Sequence, residues 1–269
     1  MRQPDIKKNF LLSILYQVIT VMIPFVTTPY ISRVLGVEGV GIYSYTHSIE
    51  LYFSMFASLG TVSYGAREVA RNRDDLRKRS QLFWEIELLT VITTAVCLVI
   101  WGIWILVHVE YRIYYIILTF SLLAVLFDIS WFYKGLEQFQ YIIVFNICFK
   151  VLGMLAIFWF VKEKDDVGIY IAIMSLSVLL GNLGMWIYCP KFICKPDMES
   201  FQISGHFKET IIYFIPSIAT SVYTVLDKTL IGAITKDVNE SGYYEQAVKI
   251  INVGKTFAFV ALNGVLESR

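Results

Sequence analysis

Four residues between positions 43 and 54 carry groups that can hold a polar ligand or exchange a proton: Tyr43, His47, Glu50 and Ser54. Their spacing of four, three and four residues sets them on one narrow stripe of an α-helix. Near the other end of the chain, Glu245, Lys249, Asn252 and Thr256 repeat the device. Two further rows, Thr220, Thr224 and Asp227, and Ser13, Gln17, Thr20 and Thr27, follow the same period, the last around a kink predicted at Pro24. Lys150 and Lys255 stand deep inside apolar stretches. In an apolar medium such groups must face water or one another, because a charge at mid-membrane costs at least about 2.5 to 3.5 kcal/mol. Polar stripes on several helices therefore imply a shared wet cavity. For the Ser and Thr positions the plainer reading is hydrogen-bonding glue between helices; for the ionisable ones it is the cavity.

The elements that must position these residues are membrane helices. Of 269 residues 57% are hydrophobic and only 17% charged, against about 25% charged in a soluble domain. The mean hydropathy is +0.61. A span needs about 20 mainly apolar residues, and windows of that kind lie at 10–32, 40–65, 82–107, 112–133, 138–161, 167–189, 209–235 and 243–266. The expected fold is thus all-α: a polytopic transmembrane helix bundle of about eight helices. A β-barrel would need strict alternation over about 10 residues, whereas residues 116–127 are apolar on every side.

Orientation follows from the connections. Thirteen Lys and Arg fall on one set, six of them between Arg67 and Arg79, against five on the other (Arg33, Arg112, Lys162, Lys164 and Lys236). The richer set is expected to be cytoplasmic, with the N-terminus inside. The run Arg67 to Arg79 reads as a topology signal and lipid-headgroup contact. Asp128, Glu85 and Glu87 lie about five residues or fewer from the cytoplasmic ends of their helices, so interfacial placement competes with a role in the cavity.

Other chemistry is absent from the sequence. The net charge of +1 gives no basic field for nucleic acid. No hydrolase, nucleotide-binding or metalloprotease motif is found, and short connections leave no room for a catalytic domain, so an enzyme is not expected. The four cysteines match no zinc or redox spacing and read as packing thiols. Of the histidines, His108 and His206 are expected at the surface and His47 within the bundle. No metal site or cofactor is called for. The first apolar stretch is too long for a cleavable signal and reads as a retained span.

A faint internal repeat runs through the chain. Ile23-Pro24, Leu35-Gly36 and Gly41-Ile42-Tyr43 are answered in order by Ile215-Pro216, Ile231-Gly232 and Gly242-Tyr243-Tyr244. Six spans separate the copies, so both enter the membrane in the same direction, which suggests a two-lobed transporter. The expected lobes are residues 1–206, with about six helices, and 207–269, the start of a second.

Four stretches carry a resemblance: Thr27 to Gly36 with Gly39 to Tyr43, Tyr64 to Arg71, Asp128 to Glu137, and Val225 to Gly232 with Gly242 to Ala247. Together the sequence resembles the Wzx-type oligosaccharide flippases, of the polysaccharide transporter family in the multidrug/oligosaccharidyl-lipid/polysaccharide exporter superfamily. The resemblance implies a multi-pass bacterial inner-membrane protein that moves undecaprenyl-diphosphate-linked repeat units to the outer leaflet for O-antigen, lipopolysaccharide or capsule synthesis. It also implies membrane lipids as surroundings, H+ or Na+ coupling, and a polysaccharide polymerase as partner. Members have about twelve to fourteen helices in two lobes, so this chain is expected to be a truncated member lacking most of the second lobe.

On that resemblance, Lys150, Lys228, Lys249 and Lys255 would attract the diphosphate or acidic sugars, while Tyr43, Gln17, Tyr223 and Asn252 would offer stacking surface or hydrogen bonds to the glycan. Glu50, Asp128 and Asp227 are the candidates for ion coupling, since a buried carboxylate can change charge as water access alternates. Asp227 and its neighbour Lys228 point about 100 degrees apart on a helix, so their partners should come from other helices. The alternatives are a cation-coupled exporter of small organic cations, which would favour buried acids over lysines, and a non-transporting remnant or assembly subunit.

Overall fold

The computed structural model describes residues 6–197 and 201–266, with side chains placed for 18–20, 22–197, 201–221, 225–252 and 254–255. Among the described residues the chain is helical throughout, with no strand: α1 (Ile6–Val34), α2 (Gly36–Ser58), α3 (Thr61–Arg71), α4 (Leu76–Val107), α5 (Arg112–Leu126), α6 (Ser130–Gly135), α7 (Phe139–Phe160), α8 (Val167–Trp186), α9 (Ile203–Thr235) and α10 (Val238–Leu266). Every apolar window is mainly helical. Four stretches, Leu76–Val107, Arg112–Gly135, Phe139–Phe160 and Lys164–Lys191, are long and apolar enough to cross a membrane, and α9 makes a fifth if its halves, bent by 53°, count as one span. Their outer faces expose Val99, Ile103 and Leu106 of α4 and Leu152, Leu155 and Trp159 of α7, apolar surface that suits lipid and not water. The chain is a multi-pass membrane protein.

Two windows break where continuous spans were expected. The 40–65 window stops at Ser58, because Leu59 (φ 41°) and Gly60 (φ 74°) both adopt the left-handed conformation that ends a helix. Gly60 is required there: a Cβ would lie 2.8 Å from the Thr210 carbonyl oxygen and the Phe214 nitrogen of α9. Beyond it α3 buries Tyr64, Gly65 and Val69, so Arg67 and Arg71 ride on a helix and not in a loop. The 112–133 window breaks between Leu126 and Ser130. The carbonyls freed there are taken by Asn182 Nδ2 (2.7 Å to Ala124 O) and Trp186 Nε1 (3.0 Å to Phe127 O). Asp128 accepts the Ser130 N–H at 2.9 Å, an Asx turn that leads into α6.

The helix that organises the rest is α2, which packs against α1, α4, α5, α8, α9 and α10. Aromatic layers brace it: Trp101 and Tyr115 are fully buried, with Trp101 Nε1 donating to Thr119 Oγ1 at 3.0 Å, while Phe83 stacks with Trp131 in a second cluster nearer the α3 end. On its other side α2 meets the C-terminal pair. Ser48 takes a hydrogen bond from Thr229 of α9 at 2.9 Å, and Gly41 lies against the backbone of α10 at Val238 and Gly242. The connection into α9 is fastened along α4. There Ser80 Oγ accepts the Cys194 N–H (2.9 Å), Gln81 Oε1 accepts that of Asp197 (3.0 Å), and Glu85 Oε1 accepts that of Gln202 (3.1 Å).

The expectation that His206 is a surface residue is overturned. It is buried, with Nδ1 2.6 Å from the Tyr64 hydroxyl and Nε2 2.7 Å from Glu85 Oε2. Folding the connection back onto α4 carries the first turns of α9 under α3, so a residue that follows a polar stretch in sequence ends inside. Glu85 and Glu87 are likewise buried.

Candidate functional site

A cavity of about 340 Å³ opens between α1, α2, α7, α8, α9 and α10. Its α2 wall is the stripe read from sequence. Tyr43 and His47, one turn apart, stack with ring centres 5.1 Å apart and planes 18° from parallel, and Tyr170 of α8 meets Tyr43 edge-on at 4.9 Å. Ser44 and Ser48 line the same wall. One turn beyond His47, Glu50 is fully buried; its Oε1 accepts the Ser54 hydroxyl, and Oε2 stands 3.7 Å from His47 Nε2. Among the described residues Oε2 has no hydrogen-bond partner. Tyr43, His47, Glu50 and Ser54 thus follow one another along one side of α2, with a hydrogen bond only between the last two.

Three lysines from three helices line the cavity: Lys150 of α7, Lys228 of α9 and Lys249 of α10. The carboxylate on that lining, Glu245, is buried and reaches two of them, with Oε2 2.6 Å from Lys228 Nζ and Oε1 3.5 Å from Lys249 Nζ. Ser44 donates to Oε2 at 3.1 Å. Among the described residues the lining thus carries three lysines and one carboxylate, in surroundings where attraction is weakened less than in bulk water. The opposite wall, from α1, α7 and α8, is mixed: Thr20, Thr27, Ser177, Ile23, Met154 and Met174. Beside it a smaller apolar groove of about 150 Å³ separates α1 from α10, bordered by Pro24, Phe25, Pro29 and Ile250, and Lys249 touches both spaces.

The structure brings Lys150, Lys228, Lys249 and Tyr43 together on one cavity, with Glu50 directly behind. Of the other candidates whose side chains are described, none lines it. Lys255 and Asn252 are exposed; at 1.5 Å per residue Lys255 lies about 9 Å past Lys249 along α10, beyond the cavity wall. Asp227 is exposed and accepts the Tyr244 hydroxyl at 2.7 Å, while Lys228 beside it faces inward, as the 100-degree step requires. Asp128 is engaged in the turn before α6 and does not line the cavity. The side chains of Gln17, Tyr223, Ser13, Thr224 and Thr256 lie outside those described.

Glu245 as the common partner of two lysines, and Tyr170 as the third ring, are contributions sequence reasoning did not assign. The former was visible as a carboxylate four residues before Lys249. The latter carried no local signal, because α8 is apolar on either side of it. Among the described residues no cluster of His, Cys, Asp and Glu could hold a metal ion.

Comparison with known proteins agrees with this architecture. The family described as polysaccharide biosynthesis protein matches residues 6–266. A protein of Escherichia coli (strain K12) and one of Shigella dysenteriae, each named "Putative O-antigen transporter", are 22% identical over 236 residues and 23% identical over 244. Each alignment covers 86% of this chain, but only 57% and 59% of the relatives, so the chain spans less than two thirds of their length. No solved structure matches the chain.

Proposed function

The chain belongs to the polysaccharide biosynthesis protein family, and we propose that it forms the substrate-binding part of a transporter that carries lipid-linked oligosaccharide repeat units from the inner to the outer leaflet of the bacterial cytoplasmic membrane. The observation that carries this reading is the convergence of Lys150, Lys228 and Lys249 on one cavity enclosed by apolar spans. A diphosphate needs cations and hydrogen bonds in place of water to leave the membrane surface, since burying it bare is prohibitive. The three lysines supply charge, and Ser44, Ser48, Thr27 and Ser177 supply hydroxyls. Stacked Tyr43 and His47 offer a flat surface to a sugar ring. The apolar groove between α1 and α10 suits a polyprenyl tail, with Lys249 where groove and cavity meet.

In this reading the N-terminus is cytoplasmic, residues 1–206 form the first lobe, and α9 and α10 begin the second. Glu50, Asp128 and Asp227 are the candidates for H+ or Na+ coupling. Glu50 is favoured among them, because it lies behind the cavity with one oxygen lacking a hydrogen-bond partner among the described residues. An exporter of organic cations fits less well, since such cargo would meet three lysines. A polysaccharide polymerase is the expected partner downstream.

The test is complementation of a flippase-null bacterial strain by the chain in its full reading frame. The wild-type should restore surface polysaccharide, and K150A and K228A should each abolish it while membrane levels hold. Unchanged polysaccharide in both variants would overturn the assignment.

A further inference from the structure

Glu245 holds the position that an anionic cargo would need. Its carboxylate sits between Lys228 and Lys249 and takes the Ser44 hydroxyl, so a single side chain on α10 ties together α9, α10 and α2. The nearby acid Asp227 does not compete for these lysines, being engaged by Tyr244. Lys150, on the far wall, has more than 70 residues of chain between it and the pair and approaches from α7. A ligand carrying two phosphates offers more acceptor oxygens to the three lysines on this cavity than the two of the Glu245 carboxylate.

Resting on the reading of this cavity as an anion site, we infer that Glu245 is an internal stand-in for the cargo's diphosphate: in the empty cavity it occupies Lys228 and Lys249 and latches α10 to α2 through Ser44. Cargo that takes the lysines frees the carboxylate, and the hydrogen bond to Ser44 is lost with it. Occupancy of the cavity is thereby coupled to the packing of α10 on α2. The coupling needs no wire between distant sites, because the displaced group and the latch are the same carboxylate. The neighbouring tie between Thr229 and Ser48 involves no charge and is untouched by the exchange.

The test uses the full chain in lipid nanodiscs with inorganic pyrophosphate as probe. Binding is read by calorimetry, and the separation of α10 from α5, which packs on α2, by spin labels at Ile116 and Ile251, both exposed. E245Q should bind pyrophosphate about tenfold tighter than wild-type, the order expected when one like charge leaves a partly desolvated site. E245A, which removes the acceptor of the Ser44 hydroxyl as well as the charge, should already show the label separation of pyrophosphate-loaded wild-type. S44A keeps the carboxylate on its lysines, so it should widen the label separation with a smaller gain in affinity than E245Q. If E245Q does not fold, E245D, whose shorter stem withdraws from Lys228 and Ser44, should move both readouts in the same direction. Binding that requires Lys228 but is no tighter in E245Q or E245D, with separations that ignore pyrophosphate, overturns this inference alone. Absence of binding in wild-type and E245Q alike, or binding indifferent to K150A and K228A, overturns the anion-site reading and this inference with it.

Discussion

Gly41 and Gly242 stand in the same relation to each other's helix. A methyl group on Gly41 would overlap the Val238 carbonyl of α10, and one on Gly242 would overlap the Val37 carbonyl of α2, each carbonyl lying four residues before the facing glycine. These two glycines belong to matching positions of the internal repeat, so the two copies of the motif meet where α2 and α10 cross. The near-symmetric contact lies just beyond the Ser44–Glu245 hydrogen bond along the same pair of helices. Small residues let backbones approach closely in membranes, where packing drives association.

Alanine at either glycine must force the crossing apart. We expect G41A and G242A each to destabilise the protein by about 1–3 kcal/mol, the usual cost of overpacking a tight contact. G102A, where an added methyl meets nothing within 4 Å, should be neutral or should stabilise by about 0.5–1 kcal/mol through helix propensity. Thermal unfolding in detergent compares the three. Equal melting temperatures for G41A and G102A would show that the crossing does not hold the helices as described.

The Tyr64–His206–Glu85 chain joins α3, α9 and α4 at the other end of the bundle. Removing one member leaves buried polar groups unmatched, at a cost of about 1–3 kcal/mol. Y64F and E85Q should therefore each destabilise, and the double variant should cost less than their sum, because they share His206. Additive losses in a double-mutant cycle would mean that the three groups do not act as one network.

Much of this arrangement was legible in the sequence, and the part that was not has a physical cause. The α2 stripe was readable because helical period alone puts Tyr43, His47, Glu50 and Ser54 on one side. The helical character of the apolar windows followed from run length, but of the eight windows only four helices, or five with the bent α9, are long and apolar enough to cross a membrane among the described residues. The breaks at Leu59-Gly60 and 127–129 were hidden, because hydropathy does not register backbone conformation: Leu59 is apolar yet left-handed, and the second break is stabilised by Asn182 and Trp186 from a distant helix. His206 was misread since its burial depends on ties between Cys194, Asp197 and Gln202 and the side chains of α4, which no local pattern shows. Depth in an apolar run likewise misplaced Lys255, for depth says nothing of whether a helix still borders the cavity at that level.

Charge asymmetry among the connections makes a prediction about sidedness. In a cysteine-free background, a membrane-impermeant maleimide should label K164C from outside spheroplasts, and D74C only after permeabilisation. Both positions are exposed. The reverse pattern would invert the orientation and place the Arg67–Arg79 run outside.

Depth and direction can be separated by reversing charges one at a time. Lys150 lines the cavity, whereas Lys255 lies on the same helix as Lys249 but is exposed beyond the lining. K150E adds an anion facing the Lys228–Glu245–Lys249 group and removes a cation, and so should weaken pyrophosphate binding by about tenfold or more, since a two-charge change at a partly desolvated site is worth at least about 1.4 kcal/mol. K255E should change binding by less than about twofold, because an exposed charge about a Debye length from the cavity is largely screened at physiological salt. Both effects should shrink as ionic strength rises, that of K255E proportionally more than that of K150E, since the cavity site is less open to ions. Equal effects of the two reversals would mean that pyrophosphate responds to the overall field of the chain and not to the cavity that Lys150 lines.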